Sequence, residues 1–264
     1  MKNKKIAIIG CGNLGQSILQ GLLDDKYPAE HITVTKRNTT TLAEYEKSGV
    51  KISSDNVEAL KTSEIIIVAL KPYNILSILE ELKPHLDGNK HVLVSLASGV
   101  SIAQISDALD VQLSIFRAMP NIAADVNESI TCISSNGSES SQMNLVKELF
   151  DTIGTTIIIE EELMEAATVL GACGIAYVLR FIRAMVQGGI QIGFSAEIAG
   201  QIVNQTVRGA AQLLIERKEH PEFEIDKVTT PKGCTIVGLN EMEHNGFSSA
   251  LIKGLVASYD KIES

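Results

Sequence analysis

Apolar residues fall in two regimes along this chain. Through about residue 160, short runs dense in Ile, Val and Leu alternate with segments whose apolar positions recur every three or four residues. The runs Lys5–Gly10, His31–Thr35, Ile65–Leu70 and His91–Leu96 are nearly unbroken, as strands buried on both faces of a parallel sheet are. Leu113–Arg117, Ser129–Ser134 and Thr155–Ile159 predict three more strands. Between the runs, Leu14, Ile18 and Leu22 repeat at helical spacing, and Ile75–Leu86 follows Pro72, a residue suited to a first helical turn. Strands alternating with helices imply βαβ crossovers and a doubly wound sheet.

From about Glu161 the strand signals cease. Val178, Ile182, Met185 and Val186 share one helix face, and Ala199, Ile202, Val203, Thr206, Ala210, Leu213 and Leu214 share the next. Small residues are frequent here (Gly171, Ala172, Gly174, Ala176, Gly188, Gly189, Gly193) and permit close helix contacts. The fold class is therefore α/β over residues 1–160, followed by an all-α domain over 161–264. Apolar stripes on successive helices point to burial against a second copy, a homodimer or an oligomer of dimers; a self-contained bundle is the alternative. No run comes near the roughly 20 apolar residues of a membrane span. The apolar stretch Ile6–Ile9 breaks at Gly10 and is too short for a signal peptide.

Composition narrows the function. Apolar residues make up 45% of the chain, enough for a substantial core. The formal charge is −9, and beyond Lys2–Lys5 no basic cluster offsets it, which argues against a nucleic-acid partner. Cys11, Cys132, Cys173 and Cys234 are scattered, without Cys-x-x-Cys pairs or His at ligand spacing. Reduced thiols in a cytoplasmic protein, with no metal site, are the expectation.

Gly10-Cys11-Gly12-Asn13-Leu14-Gly15 fits G-x-G-x-x-G, directly after an apolar strand and at the head of an amphipathic helix. That context makes the motif a dinucleotide fingerprint and the first domain Rossmann-type. The first glycine permits the tight turn, the second lets the backbone approach a pyrophosphate, and the third lets helix and strand pack closely. After the second strand the chain reads Thr35-Lys36-Arg37-Asn38-Thr39-Thr40, with no acid before Glu44. An acid there would bind the ribose 2′-hydroxyl of NAD; Lys36 and Arg37 instead suit the 2′-phosphate of NADP(H), with NAD(H) second. Asn38, Thr39 and Thr40 can add hydrogen bonds.

Other polar segments follow apolar strands, where an open α/β sheet binds its ligands. They are Ala69-Leu70-Lys71-Pro72, Ser95–Gly99 with Ala97 at its centre, and Arg117-Ala-Met-Pro-Asn121. Lys71 reads equally as a cofactor contact or as a solvated lysine before a helix. In the helical half, Val228–Ile236 is the most polar and irregular stretch. Pro231 and Gly233 suggest a bend into a helix beginning near Thr235, where a threonine is often an N-cap and free N–H groups suit a carboxylate.

These residues resemble the Δ1-pyrroline-5-carboxylate reductase family along nearly the whole chain. The likeness takes in the glycine loop, Ser54-Asp-Asn56, Ala69–Pro72, Ser95–Val100, Arg117–Asn121 and Gly174-Ile-Ala-Tyr177. Its most specific blocks are Thr229–Thr235, against the family's Thr/Ser-Ser-Pro-Gly-Gly-x-Thr, and Glu243-His-Asn-Gly-Phe247, against Glu-x-x-Gly-Phe. The resemblance implies hydride transfer from NAD(P)H to C5 of the cyclic imine pyrroline-5-carboxylate, giving L-proline. By motif position it places Gly10–Gly15, Arg37, Asn56, Ala69, Leu70, Lys71, Ala97 and Asn121 toward the cofactor. It assigns Thr235 to the substrate ring nitrogen and the backbone of Gly233, Cys234 and Thr235 to the carboxylate. It implies a dimer whose helical domains intertwine, each completing the other's site. The chain departs from the family at Gly171–Cys173, Ile175, Ile122–Ala123 and Lys232, where hydroxyls are lost or bulk is added; Lys232 could hold a carboxylate or remain a turn lysine in solvent.

Two rivals share the architecture. A β-hydroxyacid dehydrogenase needs a lysine on the long helix after the Rossmann domain, and Leu163–Glu216 contains none. A non-catalytic NADP-binding regulatory protein would account for the departures, whereas retention of Thr235 favours an enzyme.

Overall fold

The computed structural model describes residues 2–263. The chain forms two compact units, one holding the residues up to Ala172 together with those from Ile262 on, the other Cys173–Lys261. In the first unit β1 (Ile6–Ile9), α1 (Asn13–Asp24), β2 (Ile32–Thr35), α2 (Ala43–Lys47), β3 (Lys51–Ser53), α3 (Asn56–Lys61), β4 (Ile65–Val68) and α4 (Pro72–Leu82) lead to β5 (Val92–Ser95). Then come α5 (Ile102–Leu109), β6 (Ser114–Met119), β7 (Ser129–Ser135), α6 (Ser140–Asp151), β8 (Gly154–Ile158) and α7 (Met164–Ala167).

The eight strands form one sheet ordered β3-β2-β1-β4-β5-β6-β7-β8. It is parallel except where β6 meets β7. The short connection 120–128, built around the 3₁₀ turn Ile122–Val126, joins β6 to β7; it is too little chain for a crossover, so the strands run antiparallel. All seven expected strands are present. The additional strand, β3, is a three-residue edge strand with one large apolar residue, Ile52.

Strand alternation builds two cores. Ile6 and Ile8 join Ile18, Leu19 and Leu22 of α1 and Leu149 and Phe150 of α6 on one face. Ala7 and Ile9 join Leu60 of α3, Ile75 and Leu79 of α4 and Ile105 of α5 on the other. Helices covering both faces are why the central strands are apolar at every position.

The first unit extends past the change of sequence period at residue 160. Glu161, in the 3₁₀ turn Glu161–Leu163, and Glu165 of α7 both pair with Arg117 of β6. A π-helical turn, Thr168–Cys173, follows.

The second unit contains α8 (Gly174–Gln191), α9 (Ala196–Arg217), α10 (Pro221–Val228), α11 (Cys234–His244) and α12 (Phe247–Glu263). Gly189 of α8 lies so close to Ala199 of α9 that a Cβ on it would sit 2.9 Å from the alanine Cβ. Tyr177 and Ser258 share a 2.6 Å hydrogen bond, and the Phe181 and Phe247 rings stand 6.0 Å apart. Even so, among the described residues of this unit only Ala199 and Val203 are buried. Against the expectation from sequence, the helical run Glu161–Gln191 is long and apolar enough to cross a membrane, with mean hydropathy 1.7 in its most apolar stretch. A search for unbroken apolar residues passes over it because glycines and polar residues punctuate it.

Candidate functional site

The strand order reverses at β1, which lies between β2 and β4. In such sheets the ligand crevice opens at the carboxyl ends of the strands flanking that point. The expected segments gather on this edge: the glycine loop after β1, Lys36-Arg37 after β2, Ala69–Lys71 after β4, Ala97 after β5 and Asn121 after β6.

The three glycines meet different demands. Gly10 has φ +83°, and an added Cβ would overlap Leu70 and sit 3.0 Å from the Ala69 carbonyl oxygen. Gly15 packs α1 onto β1, where a Cβ would meet Ile8 at 3.3 Å. At Gly12 the nearest atom to an added Cβ is 3.9 Å away. The protein's own packing does not require that glycine, so the space above it suits an external group that approaches the backbone. Gly12 is also the N-cap of α1, and among the described residues no side chain caps the helix start. Its first-turn N–H groups and the positive end of its dipole are available to an anion. The residues therefore fit a bound dinucleotide diphosphate.

Thr35, buried at the end of β2, organises the loop and was not singled out from sequence. Its carbonyl accepts from Cys11 N–H (2.7 Å), and its hydroxyl accepts from Gly10 N–H (3.3 Å) while donating to Asn56 Oδ1 (2.7 Å). Asn56 is thereby held, and its Nδ2 makes no hydrogen bond among the described residues. Cys11 offers only backbone: its side chain lies in the core, and burial pushes the thiol up to about 12, opposed by Lys36. Leu14 is half-buried and Asn13 exposed at the head of α1.

Lys36 donates to Thr41 Oγ1 (2.8 Å), and Arg37 is exposed beside it. Asn38 caps the following 3₁₀ turn, accepting from Thr40 N–H and hydroxyl, so its carbonyl is engaged locally. A hollow of about 460 Å³ lined by Thr39, Thr40, Glu46, Ser53 and Ser54 lies beside this turn, not over the glycine loop. Lys71 is exposed at the N-cap of α4, and Ala97 is buried. Asn121 is committed within the unit: its Oδ1 accepts from Ala123 N–H (3.0 Å) and its Nδ2 donates to the Gly171 carbonyl in the π turn (3.0 Å). That geometry makes Asn121 a cap and a tie, leaving its side chain little to offer a ligand.

In the second unit, Gly233 N–H closes a turn onto the Thr230 carbonyl (2.9 Å), and Gly233 is the N-cap of α11. Thr235 is thus the second residue inside the helix, not its cap, and its hydroxyl is exposed. Among the described residues no side chain caps the start of this helix either, which leaves the N–H groups of its first turn open to a carboxylate. A Cβ on Gly233 would lie 2.6 Å from Thr230 Oγ1. Lys232 adopts φ +61°, a conformation that favours glycine.

Comparison with known proteins decides the family. Residues 161–264 match the model described as pyrroline-5-carboxylate reductase dimerisation, and residues 5–99 match that of NADP oxidoreductase, coenzyme F420-dependent. Pyrroline-5-carboxylate reductase 2 of Dictyostelium discoideum is 40% identical over 98% of this chain and 92% of its own length. The chain belongs to the pyrroline-5-carboxylate reductase family. Pyrroline-5-carboxylate reductase 1 of the same organism is 43% identical over 98% of this chain, which spans about half (49%) of that relative's length. The crystal structure of Plasmodium falciparum pyrroline carboxylate reductase with NADP bound superposes with a TM-score of 0.89 at 26% identity, covering 99% of this chain and 98% of that one.

Within the family's frame the departures acquire places. Gly171–Cys173 fall in the π turn, where Asn121 bonds a backbone carbonyl and is indifferent to lost hydroxyls. Lys232 sits on the turn that leads into Thr235.

Proposed function

We propose that the protein is a pyrroline-5-carboxylate reductase that uses NADPH to reduce the cyclic imine to L-proline, the last step of proline biosynthesis. The observation that carries this reading is a glycine loop whose central glycine is needed only by an approaching ligand, in a chain of this family. NADPH, when bound, supplies the hydride.

The chain's own residues bind and orient. The first-turn N–H groups of α1 hold the diphosphate, with Gly12 giving access. Lys36 and Arg37 hold the 2′-phosphate; Asn56, Ala69–Lys71 and Ala97 line the crevice. Thr235 hydrogen-bonds the ring nitrogen, and the backbone of Gly233–Thr235, with Lys232, holds the carboxylate. A protonated imine is already electrophilic at C5, so alignment and exclusion of water account for much of the acceleration. C5 gains the hydride as the C=N π pair passes to nitrogen, which keeps its proton.

The protein works as a homodimer joined through its second unit. A unit with two buried residues among those described cannot hold itself together by burial alone. Its exposed Leu179, Phe181, Ile198, Ile202 and Leu213 are the apolar surface a partner would cover. A second copy suits the apolar run Glu161–Gln191 better than lipid does, because Arg180 and Arg183 interrupt the stretch. Four free thiols fit a cytoplasmic setting.

The test is oxidation of NADPH in the presence of pyrroline-5-carboxylate, followed by absorbance. Turnover that falls at least tenfold in Thr235→Ala, with NADPH affinity retained, is expected. NADPH binding without any turnover would overturn the reductase reading in favour of a regulatory protein.

A further inference from the structure

Arg117 of β6 is a charged residue only 4% exposed. Its Nη1 donates to Glu161 Oε1 (3.3 Å) and its Nη2 to Glu165 Oε1 (2.6 Å). Each of these same two oxygens also accepts a backbone N–H from the segment running from the loop after β5 to the first residue of α5. Glu165 Oε1 accepts from Gly99 (3.3 Å), and Glu161 Oε1 accepts from Ile102 (2.7 Å). One buried guanidinium thus holds two carboxylates, and the carboxylates hold both ends of the segment Gly99–Ile102. That segment begins two residues after Ala97, which follows β5 on the crevice edge. Gly99 has φ +69° and nothing within 4 Å of where a Cβ would be, so packing alone does not fix it.

The cluster is a poor stabiliser taken by itself. Two carboxylates face one guanidinium, and Arg117 Nε and Glu165 Oε2 are buried without hydrogen-bond partners among the described residues. Buried ion pairs rarely repay their desolvation, and unpaired buried atoms add to the cost. What the arrangement supplies is a fixed loop.

We propose that Arg117, Glu161 and Glu165 are positioning residues that set the Ala97–Gly99 backbone against the cofactor. This rests on the NADPH-dependent reading above. Glu165→Ala is the informative change, because it releases Gly99 while leaving Arg117 and Glu161 as a balanced pair. Arg117→Ala would instead strand two carboxylates and threaten folding.

In full-length protein, Glu165→Ala should weaken NADPH binding about tenfold by fluorescence titration and lower kcat about tenfold. KM for pyrroline-5-carboxylate should stay within twofold. Glu165→Gln, which keeps an acceptor at Oε1, should recover NADPH affinity to within threefold of wild type. Should Glu165→Ala not fold, Glu165→Asp, one methylene too short to bridge both donors, is expected to show the same cofactor defect. Wild-type NADPH affinity in a folded Glu165→Ala or Glu165→Asp protein would overturn the clamp, as would no recovery in Glu165→Gln. Wild-type protein that binds no NADPH would overturn the functional reading first, and the clamp with it.

Discussion

Substituting Gly12 by alanine separates what the glycine loop does for the fold from what it does for a ligand. Gly12 has φ −80° and ψ −156°, open to any residue, and an added Cβ meets nothing nearer than 3.9 Å. Restricting the unfolded chain favours alanine by about 0.4–1 kcal/mol. Alanine is a worse N-cap than glycine by a similar order. The two effects oppose, so stability should stay within about 1 kcal/mol of wild type. The new methyl, however, occupies the approach to the first-turn N–H groups of α1. Hydrogen bonds to a charged group contribute about 1.5–3 kcal/mol each. Displacing the diphosphate from one of them, and from the helix end, should cost about 2–3 kcal/mol, or roughly 30- to 160-fold in affinity.

Gly10→Ala supplies the contrast. At φ +83° alanine pays about 1–2 kcal/mol in backbone strain, and overlap with Leu70 adds about 1–3 kcal/mol. It should lower the melting temperature of the ligand-free protein, which Gly12→Ala should not. Thermal melts without ligand and NADPH titrations by fluorescence measure both quantities. NADPH affinity within threefold of wild type in Gly12→Ala would refute the assignment of that space to the diphosphate. Equal destabilisation by the two variants would refute the division of roles.

Replacing both Lys36 and Arg37 by alanine should weaken NADPH by about 10- to 30-fold, as loss of two solvent-exposed charge contacts of about 1 kcal/mol each would do, and leave NADH within threefold; equal weakening of both cofactors in parallel titrations would refute a 2′-phosphate site. Lys232→Gly relieves a residue at φ +61° and should stabilise the protein by about 0.5–1 kcal/mol in urea unfolding. If the lysine holds the carboxylate, KM for the imine should rise about tenfold; an unchanged KM would return it to the solvent. His91 is buried, and burial, aided by Lys90 and opposed by Asp87 and the Ser63 backbone, keeps its pKa below the ordinary histidine range. Below about 6.5 the unfolded chain takes up a proton that the folded chain resists, so this contribution is whole above that pH and declines as pH falls. Wild type should therefore lose more stability than His91→Asn between pH 7 and pH 5.5 in urea unfolding; matching losses would refute the assignment.

The fold was legible where local rules act. Ile6–Ile9 or Ile65–Val68 reads as a strand because both faces are covered and every position is apolar. β3 was hidden because an edge strand of three residues needs no apolar pattern; its pairing with β2 fixes it. The late boundary of the first unit was hidden for a different reason. Helical period changes at Glu161, but Glu161 and Glu165 are tied to Arg117 across 44 and 48 residues of sequence. No periodicity reports a bond between residues so far apart.

The site divides along the same line. Gly10, Gly12 and Gly15 could be read from spacing because each answers to backbone geometry within one turn of chain. Thr35 could not, since nothing in a buried threonine at a strand's end distinguishes one that ties a loop from one that fills a sheet. Asn121 shows the converse: a polar residue after a strand looked available, but the π turn at Gly171 had already taken its amide. The turn before Thr235 extends the point. With Lys232 at a position suited to glycine, Gly233 N–H still closes onto the Thr230 carbonyl and α11 still begins uncapped at Cys234. If a carboxylate is read by backbone N–H groups, that backbone path is what must persist. A side chain projecting from it can change charge without moving the groups that bind.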